Sequence, residues 1–436
     1  MKSRPNIVYL HSHDTGRHIA PYGVAVRTPN LQRVAEQGVL FRQAFCAAPT
    51  CSPSRAALLT GMSAHQTGML GLAHRGFRLA DPSKHLPRQL SSHGYDTALC
   101  GVQHEAPGAD VASLGYAHIE KTLNQQSGAA AAALLDSGKL RSPFFLSVGL
   151  FQTHREFPDP ARTDPTTDPR YVGVPPYLPD TPAVRGDIAA LNTMAASMDE
   201  QYGLVLDALD RNGLADNTLV FCTTDHGIAF PNAKCTLRDS GIGVLLLMRG
   251  PGGFTGGKVV DALVSHLDVA PTLFDVIGLD PPGWYQGRSL RPLLDGSATS
   301  IRDELFAEVT YHAAYEPQRC IRTERWKYIR RFDHRDKPVL PNCDDSPTRS
   351  AMLDAGVFPG PVEEALYDLL ADPLERVNLA SEPAYAAMRR ELAARLDDWM
   401  RRTDDPLPCG PVPPPSGALL NDPDQSSPKE ATTTVP

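Results

Sequence analysis

Asn6-Ile7-Val8-Tyr9-Leu10 runs straight into His11-Ser12-His13-Asp14. The apolar run is too short for a secretory leader or a membrane span and reads as a buried strand. Similar short runs recur at 97–100, 144–150, 218–223 and 244–248, with helical stretches between them. Fully apolar strands separated by helices predict a sheet covered on both faces, the doubly wound α/β arrangement. Such sheets gather ligands beyond the carboxyl ends of their strands. That is where His13-Asp14, His104, His154 and Asp225-His226 fall.

With 436 residues the chain exceeds one ordinary domain, and 42% hydrophobic against 21% charged residues is the balance of a globular enzyme. A formal net charge of -8 leaves no basic face for nucleic acid and would repel a long polyanion. A small or chain-end substrate is therefore expected. The absence of a leader-like segment points to a cytoplasmic protein without membrane contact. The eight cysteines include no C-x-x-C pair, which predicts mostly buried thiols rather than disulfides, with Cys51 the exception.

Three regions follow from the pattern. Residues 1–300 carry the α/β domain, including a helix over about 182–209 whose Ile188, Leu191, Met194, Met198, Tyr202, Val205 and Leu209 form one buried stripe. Residues 301–409 read as a smaller α+β subdomain of short strands and a last helix with Tyr385, Met388, Leu392, Leu396 and Trp399 on one face. From Gly410 to the end Pro, Ser, Asp and Thr dominate, so residues 410–436 are expected to be disordered.

Cys51-Ser52-Pro53-Ser54-Arg55 stands at a helix mouth, predicted over about 54–59. Pro53 suits a helix start, and the free N–H groups there favour an anion beside Cys51. Arg55 adds a fixed cation. Together with Leu58-Leu59-Thr60-Gly61, this segment resembles the signature of the type I sulfatases, in the alkaline phosphatase superfamily. The resemblance extends along the chain through Arg27-Thr28-Pro29-Asn30-Leu31, Asp268 with Pro271-Thr272, Gly287-Arg288-Ser289-Leu290 and Leu366-Tyr367-Asp368-Leu369. Of these, Asp268 reads as a helix cap. Within the family, His65-Gln66-Thr67-Gly68-Met69, Val174-Pro175-Pro176-Tyr177, Phe230-Pro231 and Asp404-Asp405-Pro406 with Cys409 are most similar to the sulfamidases, the N-sulfoglucosamine sulfohydrolases.

The resemblance implies an alkaline-phosphatase-like fold, a divalent metal and a formylglycine made from Cys51 by a formylglycine-generating enzyme. It also implies an Asp-Asp pair after the first strand and an Asp-Asn or Asp-His pair later as metal ligands. Asp225-His226 matches the later pair, but the earlier one reads His13-Asp14. Calcium, the family's usual ion, prefers oxygen ligands, whereas imidazoles at His13 and His226 suit manganese or zinc. Two readings stay open: a different metal, or an ion held by Asp14, Asp225 and His226 with His13 behind them. Cys51 would also face the ion.

Arg55, His104, His154 and Lys234 are the remaining implied catalytic residues. His104 ends Gly101-Val102-Gln103-His104, where the family has Gly-Lys-x-His, so Val102 replaces a cation. Gln103, Arg17 and His74 are the nearby candidates to compensate; His11 and Arg75 read as polar loop residues. In the implied reaction a hydroxyl of the aldehyde hydrate attacks sulfur, His154 or Lys234 protonates the leaving atom, and His104 deprotonates the second hydroxyl to expel sulfate. The expected activity is hydrolysis of a sulfate ester or sulfamate on a small sugar. Two alternatives compete: a phosphonate monoester or phosphodiester hydrolase of the same superfamily, and a degenerate binding protein that has lost catalysis.

Overall fold

The computed structural model describes residues 4–120, 122, 126–158 and 167–436. Eight strands form one sheet: β1 (Asn6–Ser12), β2 (Val39–Phe45), β3 (Asp96–Gly101), β4 (His118–Glu120), β5 (Phe144–Gly149), β6 (Thr218–Thr224), β7 (Leu246–Arg249) and β8 (Lys258–Ser265), in the order β4-β3-β5-β1-β6-β7-β2-β8. Every pairing is parallel except those of β7, which runs against β6 and β2. β1 is buried along its whole length, as a strand with helices on both faces must be.

Register fixes the site. Ser12 at the end of β1 pairs with Thr224 of β6, and His11 pairs with Gly149 of β5, which in turn pairs with Gly101 of β3. Four strands thus end at one level, and the residues just past those ends share one sheet edge.

The helix Pro182–Arg211 begins at Thr181, whose hydroxyl accepts from Val184 N. Its buried stripe contains Ile188, Leu191, Met194, Met198, Tyr202, Val205 and Leu209, as the spacing predicts. A second, antiparallel sheet is built from β9 (Glu304–Tyr311), β10 (Tyr315–Thr323), β11 (Trp326–Arg331) and β12 (Glu364–Asp368), ordered β12-β11-β10-β9. The helix Ala386–Arg402 buries Leu392, Leu396, Trp399 and Met400 against its Ile321, Tyr328 and Leu366. Its other face joins the main core, where Ala307, Val309 and Cys320 share one apolar cluster with Phe41, Ala44 and Phe45 of β2.

Two expectations are corrected. Residues 410–436 are not disordered. Leu419–Leu420 pairs with Thr433–Thr434, Asn421 N donates to Ala313 O at 2.9 Å, and Arg75 Nη1 donates to Asn421 Oδ1 at 2.8 Å. These polar contacts, with Ala418, Leu420 and Val435 packed on the main apolar cluster, hold the segment in place. Cys51 is also no exception in burial: it is 1% exposed, while Cys409 is the exposed thiol. All eight cysteines are free. No described helix is long and apolar enough to cross a membrane.

Candidate active site

Cys51 opens the helix Cys51–Thr60, three residues earlier than predicted, with Thr50 as the extended residue before it. Pro53 sits in the first turn, where its missing N–H costs nothing. Gly61 ends the helix with φ +66, and a Cβ there would lie 2.6 Å from the Tyr285 ring, so the Gly of the signature is required for both reasons. All ten helix residues are buried. Burial pushes the Cys51 thiol well above its ordinary pKa, and Lys234 only partly offsets this. A neutral thiol is a poor nucleophile.

Cys51 Sγ lies 3.4 Å from His226 Nε2 and 3.9 Å from Asp14 Oδ1. Asp225 and Asp14 face it from the ends of β6 and β1. Asp225 Oδ1 accepts from Asp14 N at 2.8 Å and His226 N at 2.9 Å, while Oδ2 accepts from Arg55 Nη2 at 2.9 Å. Burial opposes ionisation of Asp225, but His226, Arg55 and His13 outweigh it and hold the carboxyl well below the usual range. Arg55 is itself 2% exposed and donates from Nη2 to Ser12 O at 2.7 Å. Its Nη1 meets His11 Nδ1 at 2.5 Å, and His11 Nε2 meets Ser147 Oγ at 3.0 Å. His11 is therefore not a loop residue. It lies within β1, next to its last residue, buried, with a lone pair turned to the guanidinium.

Asp14 takes the left-handed conformation, φ 50, which turns its carboxylate inward. Oδ1 stands 3.2 Å from His226 Nε2 and Oδ2 accepts from Lys234 Nζ at 2.9 Å. His226 Nδ1 donates to Gly227 O at 3.0 Å, which leaves Nε2 as the ring atom facing the carboxylate. An imidazole nitrogen and a carboxylate oxygen thus converge in a buried site, where they could share a cation. Ligand atoms of His13, Asp14, Cys51 and Asp225 all fall within 4.8 Å of one another, so the donor set fits a divalent metal.

His13 is 2% exposed, and neither ring nitrogen makes a hydrogen bond, although Nδ1 is 3.2 Å from Asp225 Oδ2. Burial and Arg55 pull its pKa down to about 4 despite Asp225, leaving it a neutral base. Its ring is edge-on to His154 at 5.6 Å and tilted to His104 at 5.9 Å.

Lys234 Nζ is held between Asp14 and Asp344, 3.0 Å away. Burial alone would strip its proton; Asp14 and then Asp344 reverse that and keep it charged. His104 Nε2 meets His74 Nδ1 at 2.8 Å, and burial beside His13 and His74 pulls its pKa well below the ordinary value. His154 Nδ1 donates to Arg155 O, leaving Nε2 uncommitted by that bond. The loop bearing it is anchored by Arg155, whose Nη1 and Nη2 each bond Asp187 at 2.8 Å on the long helix.

The structure thus brings together Cys51, Arg55, His104, His154 and Lys234 with His13, Asp14, Asp225 and His226. Of the three candidates to replace the cation missing at Val102, only His74 reaches the site. Arg17 donates to Ala44 O and stacks over Phe45, while Gln103 donates to Ala106 O. Arg75 holds the 410–436 segment instead. Asp268 is a cap, accepting from Ser265 N and Arg288 N at 2.8 Å each. Asp344 and His11 were missed: Asp344 comes 110 residues after its partner Lys234, and His11 follows an apolar run without a local signal.

The sulfatase family matches residues 5–279, and the C-terminal family of N-sulphoglucosamine sulphohydrolase matches residues 232–352. The chain belongs to the sulfatase family. It is 32% identical to human N-sulphoglucosamine sulphohydrolase, across 94% of this chain and 93% of that protein. An ulvan-active sulfatase of Formosa agariphila is 29% identical across 93% of this chain and 76% of its own length. The solved structure of a 2-O GAG sulfatase superposes with a TM-score of 0.72, 24% identical, covering 94% of both chains. The alkaline-phosphatase-like α/β fold expected from sequence is the fold of this family member, and its class is that of a sulfuric ester hydrolase.

Proposed function

We propose that this sulfatase hydrolyses a sulfamate or sulfate ester on a small or chain-end sugar, through a formylglycine made from Cys51 by a formylglycine-generating enzyme and with one divalent metal. The carrying observation is Cys51 at a buried helix mouth, 3.4 Å from His226 Nε2 and within 4.8 Å of the ligand atoms of His13, Asp14 and Asp225. The 32% identity to a sulphohydrolase named for N-sulphoglucosamine supports an N-sulfated sugar. The net charge of -8 favours a short substrate over a polyanion.

Asp14, Asp225 and His226 would hold the metal, and it would neutralise sulfuryl oxygens and orient the reacting group. Formylglycine would supply a hydroxyl that attacks sulfur and a second that lets sulfate leave. The rest falls to this chain's own side chains. Arg55 fixes Asp225 and adds positive charge beside residue 51. Lys234, locked as an ammonium by two carboxylates, stabilises charge on sulfate rather than giving up its proton. That leaves His154 to deliver a proton to the departing nitrogen or oxygen. His104, neutral at ordinary pH, is the acceptor of the proton released at residue 51. His74 supports it from behind.

Two measurements test this. Mass spectrometry of the peptide containing residue 51 is expected to show CH2–SH replaced by CHO, and Cys51→Ala is expected to abolish turnover; an intact thiol in fully active enzyme overturns the mechanism. In a panel of sulfated monosaccharides including N-sulfoglucosamine, alongside aryl sulfate, sulfamate and phosphonate esters, the sulfated monosaccharides are expected to be hydrolysed fastest. Faster hydrolysis of the phosphonate ester, or of intact polymer than of monosaccharides, rejects the substrate assignment.

A further inference from the structure

We infer that the metal site of this chain is nitrogen-rich, with His13 as a ligand, and selects a first-row transition ion such as zinc or manganese over calcium. The inference rests on the reading of Asp14, Asp225 and His226 as metal ligands and goes beyond it in the fourth donor and the ion.

The first support is the state of His13. A buried imidazole with both ring nitrogens lacking hydrogen bonds is costly unless something else uses a lone pair. Its backbone is pinned on both sides: His13 N donates to Gln152 O at 2.9 Å, and its carbonyl accepts from Thr153 N and Thr153 Oγ1, each at 2.9 Å. With the backbone fixed and Asp225 Oδ2 3.2 Å from Nδ1, the ring is placed among the ligand atoms by the fold.

The second support is a count of free oxygens. Calcium takes about six to eight oxygen ligands. Here Asp14 Oδ2 is occupied by Lys234 and Asp225 Oδ2 by Arg55. The oxygens not taken by Lys234 or Arg55 are Asp14 Oδ1 and Asp225 Oδ1, and the latter already accepts two backbone N–H groups. Set against these are His226 Nε2 and a ring nitrogen of His13. A ring nitrogen of His13 falls within 4.8 Å of ligand atoms of Asp14 and Asp225, and His226 Nε2 lies 3.2 Å from Asp14 Oδ1, so imidazole joins carboxylate here in the donor mixture that zinc and its neighbours favour.

The test uses full-length protein stripped by a chelator and then given zinc, manganese or calcium, with affinity read by calorimetry and thermal shift rather than by turnover. Zinc and manganese are expected to bind at least about 10-fold tighter than calcium, and His13→Asp, which restores an oxygen donor, to move that ratio toward calcium by about 10-fold or more. His13→Asn gives the same comparison if the aspartate variant does not fold. Tighter binding of calcium to the unsubstituted protein, or a metal ratio indifferent to His13, overturns the inference. Sulfate release restored by calcium alone also overturns it while leaving the sulfatase reading intact. Transition-ion preference without sulfate release from any substrate would do the reverse.

Discussion

Arg55 Nη2 and Asp225 Oδ2 meet at 2.9 Å with both side chains at most 1% exposed. Removing one partner of a buried pair strands the other charge, at a cost of about 3–5 kcal/mol. Arg55→Ala is therefore expected to lower the thermal midpoint as well as abolish turnover. Arg55→Lys is expected to retain more stability but little activity, because an ammonium cannot reach Asp225, Ser12 O and His11 together. Unfolding scans beside steady-state kinetics check both; an Arg55→Ala protein as stable as the parent would contradict the pairing.

Lys234 is shared between Asp14 and Asp344. Asp344→Asn leaves Asp14 as the sole anionic partner, drawing the ammonium toward that proposed metal ligand and away from the proposed sulfate position. We expect a fall of about 10-fold or more in kcat/KM, the scale seen when partners of ligating groups are lost. Near-parental melting should accompany it, since Asp344 is 20% exposed on its side chain. Parental kinetics would show that Asp344 does not position Lys234.

A pH dependence of stability follows from a second buried cluster. His65 Nδ1 is 2.9 Å from Glu308 Oε1, and Arg319 binds Asp405 at 2.6 Å and reaches Glu308 at 3.4 Å. Burial works against a charged His65, but Glu308 and Asp405 win and raise its pKa above 6.5. A raised pKa means that this stabilisation is complete below 6.5 and lost as pH rises through the folded value. For Glu308, burial is outweighed by His65 and Arg319, which depress the pKa to about 2. Its contribution is present above 4.5 and lost as pH falls toward 2. His65→Gln is expected to flatten the alkaline decline in melting temperature; an unchanged profile would dismiss the ion pair as its source.

Arg155 and Asp187 join the loop of His154 to the long helix, with side chains 7% and 3% exposed. Arg155→Ala should cost roughly 3–5 kcal/mol for the reason given for Arg55. It should also lower kcat more than it raises KM, because His154 loses its placement while the sulfate contacts remain. Equal effects on both parameters would point to general collapse of the site.

Much of this was legible in the chain. The apolar runs at 97–100, 144–150 and 218–223 became strands ending at one level, so His13-Asp14 and Asp225-His226 met without any long-range information. Asp268 capped as expected. What failed to show was what register and tertiary packing decide. β7 reads as one more apolar strand, yet runs antiparallel. His11 looked like loop because alternation carries no weight in a strand buried on both faces. Asp344 has no local pattern linking it to Lys234. The 410–436 segment is held by Arg75, more than 300 residues away, and composition cannot register that kind of support.

The complete burial of the helix Cys51–Thr60 sets an order of events. In the finished fold Cys51, Pro53 and Arg55 are all closed off from a second protein. The conversion of Cys51 proposed above would then have to happen before β1 and β6 close over it. Each molecule would have a single early interval in which to become an enzyme, and one that folds first would stay a well-packed, inactive thiol protein for its lifetime.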